Sequence, residues 1–339
     1  MISDRVTLKM GAGGRAMRQL IREMFVDGLA VEMPAGDIGL AALDDGAAIR
    51  IGEQWLVTTT DSHVVHPIFF PGGDIGTLAV AGTVNDLAMM GATRPLSLTL
   101  AVVIEEGFPR ADLARIAASI KETCVRAGAR IVTGDTKVMG RGELDGIILN
   151  TAGVALADRV ISDAGLRPGD RIIVTGTMGD HGLAVLAARG NLSLEVELRS
   201  DVAPVNGLVA AALAAGRITA MKDPTRGGLA SALHEMADKA GVGVIVDERA
   251  VPITDEVRAV GEILGIDPLH VANEGKVVIG VAADDADAVL AALRAHPQGR
   301  AAAIVGTAIA DAPGRVVLDT GFGRRLLVEP DGEPLPRIC

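Results

Sequence analysis

Carboxylates recur at the ends of apolar runs in the first half of the chain. Asp44 and Asp45 of "LDDGAAI" precede one such run, and Asp61 of "VTTTDSHVV" closes another. Asp135 and Lys137 of "GDTKVMG" follow a third, and Asn85 and Asp86 of "GTVNDLAMMG" interrupt an apolar helical pattern. An unpaired carboxylate on an apolar helix is costly, so packing does not explain Asp86. Taken singly, Asp44–Asp45 reads as a turn and Asp61 as a strand terminator. Strand ends and a neighbouring helix can converge on one point, and a group of carboxylates there suits magnesium, which prefers hard oxygen ligands. The set favours a metal–phosphate site.

The glycines of "GAGGR", Gly11, Gly13 and Gly14, leave backbone amides free to approach a phosphate. The segment is neither a Walker A loop nor a strand-led dinucleotide fingerprint. "PGGDIG" and "DPTRGGL" add further glycines, and Arg226 of the latter offers a positive charge to a phosphate. His63, His66 and His181 lie near these loops without a metal-binding spacing, and read as structural or substrate-facing. Cys124 falls on the apolar stripe of a helix and reads as core.

Cys339 has no such explanation. It ends a stretch, Glu329–Cys339, with three prolines, one glycine and no periodicity, which reads as a loose tail. Prenylation needs a cysteine where Pro336 stands. A tail of about ten residues reaches on the order of 30 Å, enough to enter a cleft. Pro334 and Pro336 stiffen it and limit the entropy lost on docking.

The elements that must position these groups follow from periodicity. Runs at Ala47–Ile51, Trp55–Thr60, Leu96–Ile104 and Ile147–Leu156 read as strands, with helices after Gly76 and over "RADLARIAASIKETCVRAGA", closed by Gly128. After a turn-rich hinge near Ser162–Gly169, "RIIVTG" opens a second α/β unit. Helices are expected there at Leu229–Ala240, Asp255–Leu264 (capped by Thr254) and Asp285–His296. Strands are expected at Val242–Val246, Lys276–Ala282, Ala302–Ala308 and Arg315–Leu318. The expected fold class is α/β (α+β), with domains at 1–160 and 161–328 and a tail at 329–339. A chain of 339 residues accommodates two domains of ordinary size.

Composition narrows the function. Lys and Arg number 32 against 43 Asp and Glu, a net charge of −11, which argues against a nucleic-acid partner. Aromatic residues are 2% and tyrosine is absent, which argues against base stacking. Two cysteines cannot build a disulfide framework, so a cytoplasmic setting is expected. The longest apolar runs, around Leu98–Ile104, are too short to span a bilayer, and the charged N-terminus does not read as a secretory signal.

Together, "GAGGR", "LDDGAAI", "TTTDSHVVHPIFFPGGDIG", "GTVNDLAMMGA", "GDTKV", "DPTRGGL" and the closing "PRIC" resemble the HypE family of hydrogenase maturation factors. That family sits in a wider group with aminoimidazole ribonucleotide synthetase and selenophosphate synthetase. The resemblance runs from about Gly11 to Cys339. It implies a PurM-like fold, whose N-terminal α/β domain forms a dimeric β-barrel-type interface, with ATP between the domains. It also implies that a HypF-type carbamoyltransferase loads the terminal cysteine, that ATP drives loss of water from the S-carboxamide to give an S-cyanate, and that a HypC–HypD complex receives the cyanide for a [NiFe] site. By motif match, Asp44, Asp45, Asp61, Asp86 and Asp223 are the metal candidates. Gly11, Gly13, Gly14, Asn85, Asp135, Thr136 and Arg226 are candidates for ATP or phosphate. Cys339 is the carrier, Glu274 of "ANEGK" the base, and Lys137 polarises the carbonyl oxygen or orients the base. Two rivals stand beside this: a small-molecule synthetase on the same fold, disfavoured because no cysteine precedes Cys124, and a metallochaperone using Cys339 without ATP turnover.

Overall fold

The computed structural model describes residues 5–11, 13–190, 197–330 and 337–339. A short helix, α1 (Gly14–Ile21), enters an N-terminal sheet of β1 (Ala47–Ile51), β2 (Gln54–His63), β3 (Pro95–Glu105), β4 (Ile131–Met139) and β5 (Ile147–Ala157). The strand order is β1-β2-β5-β3-β4, with only the β3–β4 pair parallel. The sheet is open, with β1 and β4 at its edges, so the expected barrel-type interface is not a barrel closed within one chain.

Strand β5 alternates strictly between buried and less buried residues, the signature of a sheet covered on one face. That face packs on α2 (Ile75–Met89), with α3 (Arg110–Ala127) behind it. Asp74 caps α2 by accepting a 2.9 Å hydrogen bond from the Thr77 amide. Every residue of α2 is buried except Asp86, as befits a helix that is apolar all round. The opposite face is open. Ile49 and Leu156, aligned across it through Leu56, remain 42% and 38% exposed.

The C-terminal domain has β6 (Arg171–Val174), α4 (Asp180–Arg189), α5 (Asn206–Ala215), β7 (Ile218–Lys222), α6 (Gly228–Ala240), β8 (Gly243–Asp247), α7 (Asp255–Leu264), β9 (Val278–Val281), α8 (Ala286–Ala295), β10 (Ala303–Ile309), β11 (Val316–Asp319) and β12 (Arg324–Leu326). Its sheet runs β12-β11-β8-β10-β6-β9-β7. Neighbouring residues serve opposite faces: Ile172 and Val174 join the core beneath α6, and Ile173 joins that beneath α5 and α8. Both faces of this sheet are buried.

Element boundaries follow the sequence closely. Helix α7 spans the expected residues, Thr254 Oγ1 accepts its capping bond from Val257, and Gly128 ends α3 in a left-handed conformation. Two expectations shift. Asp61 does not end its strand, which continues to His63, and Asp135, Thr136 and Lys137 lie inside β4 rather than after it.

Candidate active site

A cleft of about 680 Å³ runs between the two domains, lined by α1, the β1–β2 region, α2, the segment Lys222–Ala232, Glu274 and Cys339. It is walled by the carboxylates Asp44, Asp45, Asp61, Asp86, Asp223 and Glu274. Gly13 and Gly14 line it at the start of α1. Gly13 has φ 82°, and a Cβ there would fall 2.6 Å from the Arg226 Cβ, so glycine is needed for this approach.

The aspartate doublet is split by the fold. Asp44 Oδ2 accepts from Ser162 Oγ at 2.6 Å and its Oδ1 from the Asp45 amide at 3.0 Å, so it ties the cleft wall to the interdomain hinge. Asp45 Oδ1 accepts from Lys222 Nζ at 2.6 Å, while its Oδ2 is buried without a hydrogen-bond partner. Asp86 Oδ2 accepts from Thr59 Oγ1 at 2.9 Å. Burial, then repulsion from Asp223, Asp61 and Asp45, holds the Asp86 carboxyl well above the usual carboxylate range. Burial also pushes Asp223 up to about 6, opposed by Lys222 and reinforced by Asp61.

Among the described residues, no three carboxylate, histidine or cysteine side chains close on one point tightly enough to hold a metal by themselves. The donor set still fits a hard cation. Several buried carboxylates repel one another, and one bears an orphaned oxygen. Magnesium binds through one or two carboxylates and completes its shell with water and phosphate oxygens.

Glu274 is buried, with Oε1 unpartnered, and its amide donates to Asp201 Oδ1 at 3.1 Å. Burial, then repulsion from Asp223, Asp61 and Asp201, raises its carboxyl well above the ordinary value, against the pull of Arg226. Arg226 reaches the sulfur: its Nη1 lies 3.6 Å from Cys339 Sγ, and its Nε is buried without a partner. Burial works against the guanidinium charge, but Cys339 outweighs it and Asp61 and Glu274 add to it, so the Arg226 pKa rises. The expected loose tail therefore ends docked inside the cleft, although residues 331–336 lie outside those described.

Other candidates fall elsewhere. Gly11 belongs to a short 3₁₀ turn and does not line the cleft. Asn85 joins the two domains: its Nδ2 donates to the carbonyls of Ala203 and Glu274 at 3.2 and 3.3 Å, and its Oδ1 accepts from the Val205 amide at 2.8 Å. No part of that amide is left for a phosphate. Asp135 and Lys137 pair at 2.9 Å on the solvent side of edge strand β4, where they are 63% and 68% exposed, and neither they nor Thr136 line the cleft of their own chain.

Sequence reasoning missed Lys222 and Asp163. Lys222 Nζ contacts Asp45, Asp163 at 3.2 Å and Glu235 at 3.3 Å, and Lys239 Nζ meets Asp163 at 2.6 Å. Burial alone would lower the Lys222 pKa, but Asp45, Glu235 and Asp163 raise it well above its ordinary value. The one available signal was the hinge "SDAGLRPGD", whose Asp163 reads as a turn residue.

Comparison with known proteins defines first a class. Residues 43–157 match the AIR synthase related protein N-terminal domain, and residues 167–319 the corresponding C-terminal domain. Within that class the chain is 49% identical to the carbamoyl dehydratase HypE of Rhizobium leguminosarum bv. viciae, over 99% of this chain and 96% of that protein. A crystal structure of a HypE–HypF complex superposes with a TM-score of 0.86 at 42% identity, covering 92% of this chain and 99% of the other. A HypE structure in complex with ATP superposes at 0.81 and 42% identity, covering 99% and 100%. The chain belongs to the HypE family.

Proposed function

We propose that this chain is an ATP-dependent carbamoyl dehydratase that acts on a group carried by its own last residue. The observation that carries this reading is the Cys339 sulfur, which sits against Arg226 in the same cleft as Glu274 and the carboxylates. A HypF-type carbamoyltransferase loads the thiol as an S-carboxamide. An amide oxygen is a poor leaving group, so the γ-phosphoryl group of ATP is transferred to it first, releasing ADP. One N–H proton is lost with that transfer, giving S–C(OPO₃²⁻)=NH. The C–O bond then breaks, phosphate departs and the second N–H proton leaves, so S–C(=O)NH₂ becomes S–C≡N with net loss of water.

Glu274, whose carboxyl is raised by burial and by its acidic neighbours, takes the second of these protons. Arg226 and the amides at Gly13 and Gly14 balance charge on the transferring group. Magnesium, bound through one or two of Asp45, Asp61, Asp86 and Asp223, would supply further neutralisation of phosphate charge. The cyanide passes to iron in a HypC–HypD complex for a [NiFe] hydrogenase, in a cytoplasm reducing enough to keep the thiol free. Lys137 acts within a homodimer, in the cleft of a second copy. Its exposure on β4 and the half-exposed apolar face of the N-terminal sheet support that pairing.

The test follows the C-terminal peptide by mass spectrometry in the presence of a carbamoyltransferase, carbamoyl phosphate and ATP. The expected result is gain of one carbamoyl group on Cys339, then ATP-dependent loss of one water. Water loss without ATP, or ATP turnover on a free small molecule in Cys339→Ala, overturns the proposal.

A further inference from the structure

The cleft accounts for the sulfur but not for what holds the last three residues in place. Each backbone carbonyl or carboxylate position from Arg337 to Cys339 has a donor. The Arg337 carbonyl accepts from the His66 amide at 3.2 Å and from Arg189 Nη2 at 2.8 Å. The Ile338 carbonyl accepts from His181 Nε2 at 2.9 Å, and a terminal oxygen of Cys339 from the Val64 amide at 3.2 Å. The Ile338 side chain is 2% exposed, packed in an apolar socket with Leu183, Val257 and Val271. Gly182 keeps that socket open: a Cβ there would meet Val271 Cγ1 at 2.4 Å and Ile338 Cδ1 at 3.6 Å.

His181 is fixed for this task. A carbonyl only accepts, so Nε2 carries the proton and Nδ1 is the acceptor for the Ser200 hydroxyl, 2.7 Å away. Ser200 Oγ accepts in turn from the Val202 amide at 3.1 Å, which leaves its proton for the imidazole. Phe70 meets the ring edge-on at 5.4 Å. Burial favours the neutral form that this arrangement requires. His181, Gly182 and Arg189 all belong to α4, so one helix supplies the C-terminal domain's hydrogen bonds to the tail's backbone carbonyls. Val64, His66 and Asp145, the ion-pair partner of Arg337, supply the N-terminal domain's grip.

We propose that α4 is a receptor for the chain's own last three residues, in which His181 and Arg189 are positioning residues that hold the thiol-borne group against Glu274 and Arg226. This rests on the dehydratase reading, but its first test does not. Cys339 alkylation by iodoacetamide is followed peptide by peptide in the unmodified full-length protein, with buried Cys124 as an internal measure of folding. His181→Leu, Ser200→Ala and Arg189→Ala are expected to alkylate Cys339 about five- to ten-fold faster than the parent, as befits loss of a hydrogen bond at a docked segment. His181→Gln, which keeps a donor towards the Ile338 carbonyl, should stay near the parent rate.

In the carbamoylated protein, the three disruptive variants should lose water more slowly by a similar factor, while accepting the carbamoyl group no more slowly than the parent. Unchanged Cys339 alkylation in variants that keep Cys124 protected overturns the receptor, as does equal slowing of both steps. A parent protein that never loses water overturns the dehydratase reading instead, and leaves the alkylation result to judge the receptor by itself.

Discussion

Two groups of buried or half-buried carboxylates lie near the cleft, and their surroundings treat them oppositely. Asp163 holds two lysines, Lys222 and Lys239, and Asp201 is paired with Lys276 at 3.1 Å. These carboxylates are neutralised within the chain. Asp86 has one threonine hydroxyl, Glu274 has no salt bridge among the described residues, and each is repelled by other carboxylates. Burying a charge without a partner costs several kcal/mol, so the second group is stable as charge only when something else arrives. The paired carboxylates brace the hinge and the C-terminal domain from within, and the unpaired ones retain the capacity to bind a cation or a proton.

The largest effect that would sharpen this contrast lies in the unpaired group. Glu274→Gln and Asp86→Asn remove a charge from the cleft without breaking a hydrogen-bonded ion pair among the described residues. Water loss from carbamoylated Cys339 is expected to fall by about 10²- to 10⁴-fold in Glu274→Gln, the range for a lost general base. Transfer of the carbamoyl group onto the thiol should be unchanged in both variants. Single-turnover mass spectrometry of the C-terminal peptide separates the two steps, and parallel losses in both would place these residues with the structural group.

The paired group should fail in a different way. Asp163→Asn leaves Lys222 and Lys239 buried beside a neutral amide, and breaking a buried pair costs about 3–5 kcal/mol. The expected outcome is a lowered urea midpoint, with carbamoylation and water loss declining together as folded protein is lost. A variant of parental stability that had lost only water loss would move Asp163 into the catalytic set.

That contrast also explains what the sequence could disclose. Asp86 is legible because a carboxylate in an apolar helix is locally anomalous, whereas Glu274 of "ANEGK" reads locally as a turn acid and becomes a candidate only through the reaction the resemblance implies. Asp163 is not legible, because its partners stand 59 and 76 residues away and no spacing announces them. Asp44 and Asp45 are adjacent in sequence and inseparable there. Both line the cleft, and only their partners tell them apart, the Ser162 hydroxyl for Asp44 and the Lys222 ammonium for Asp45. Strands and helices were readable at β5 and α7, where one face is buried, although α5 and β7 have buried faces too and went unread. Asp135, Thr136 and Lys137 were placed beyond a strand because β4 is exposed along most of its length and carries no alternation to mark its end. Asn85 is a phosphate candidate only through the resemblance. Its three bonds to the other domain depend on tertiary packing that no periodicity records.

The smallest effect is the most specific to the unpaired group. The Glu274 carboxyl is raised in the folded chain, by burial first and by its acidic neighbours second, against an unfolded value of about 4.3. The folded state therefore holds a proton that the unfolded state releases over the interval between the two values. The resulting stability is fully present below about pH 4.3 and is lost as pH rises through the raised folded value. Proton abstraction has the opposite sign, since only the ionised carboxylate accepts a proton, so water loss should increase over the same interval. Urea midpoints and single-turnover rates measured from about pH 5 to pH 8 should thus move in opposite directions in the parent protein. In Glu274→Gln, the midpoint should fall less steeply, the difference between the two curves isolating this carboxyl from the other acids of the cleft. Superimposable stability curves would mean that Glu274 is ionised throughout, and the proton would then have to leave the amide for some other group.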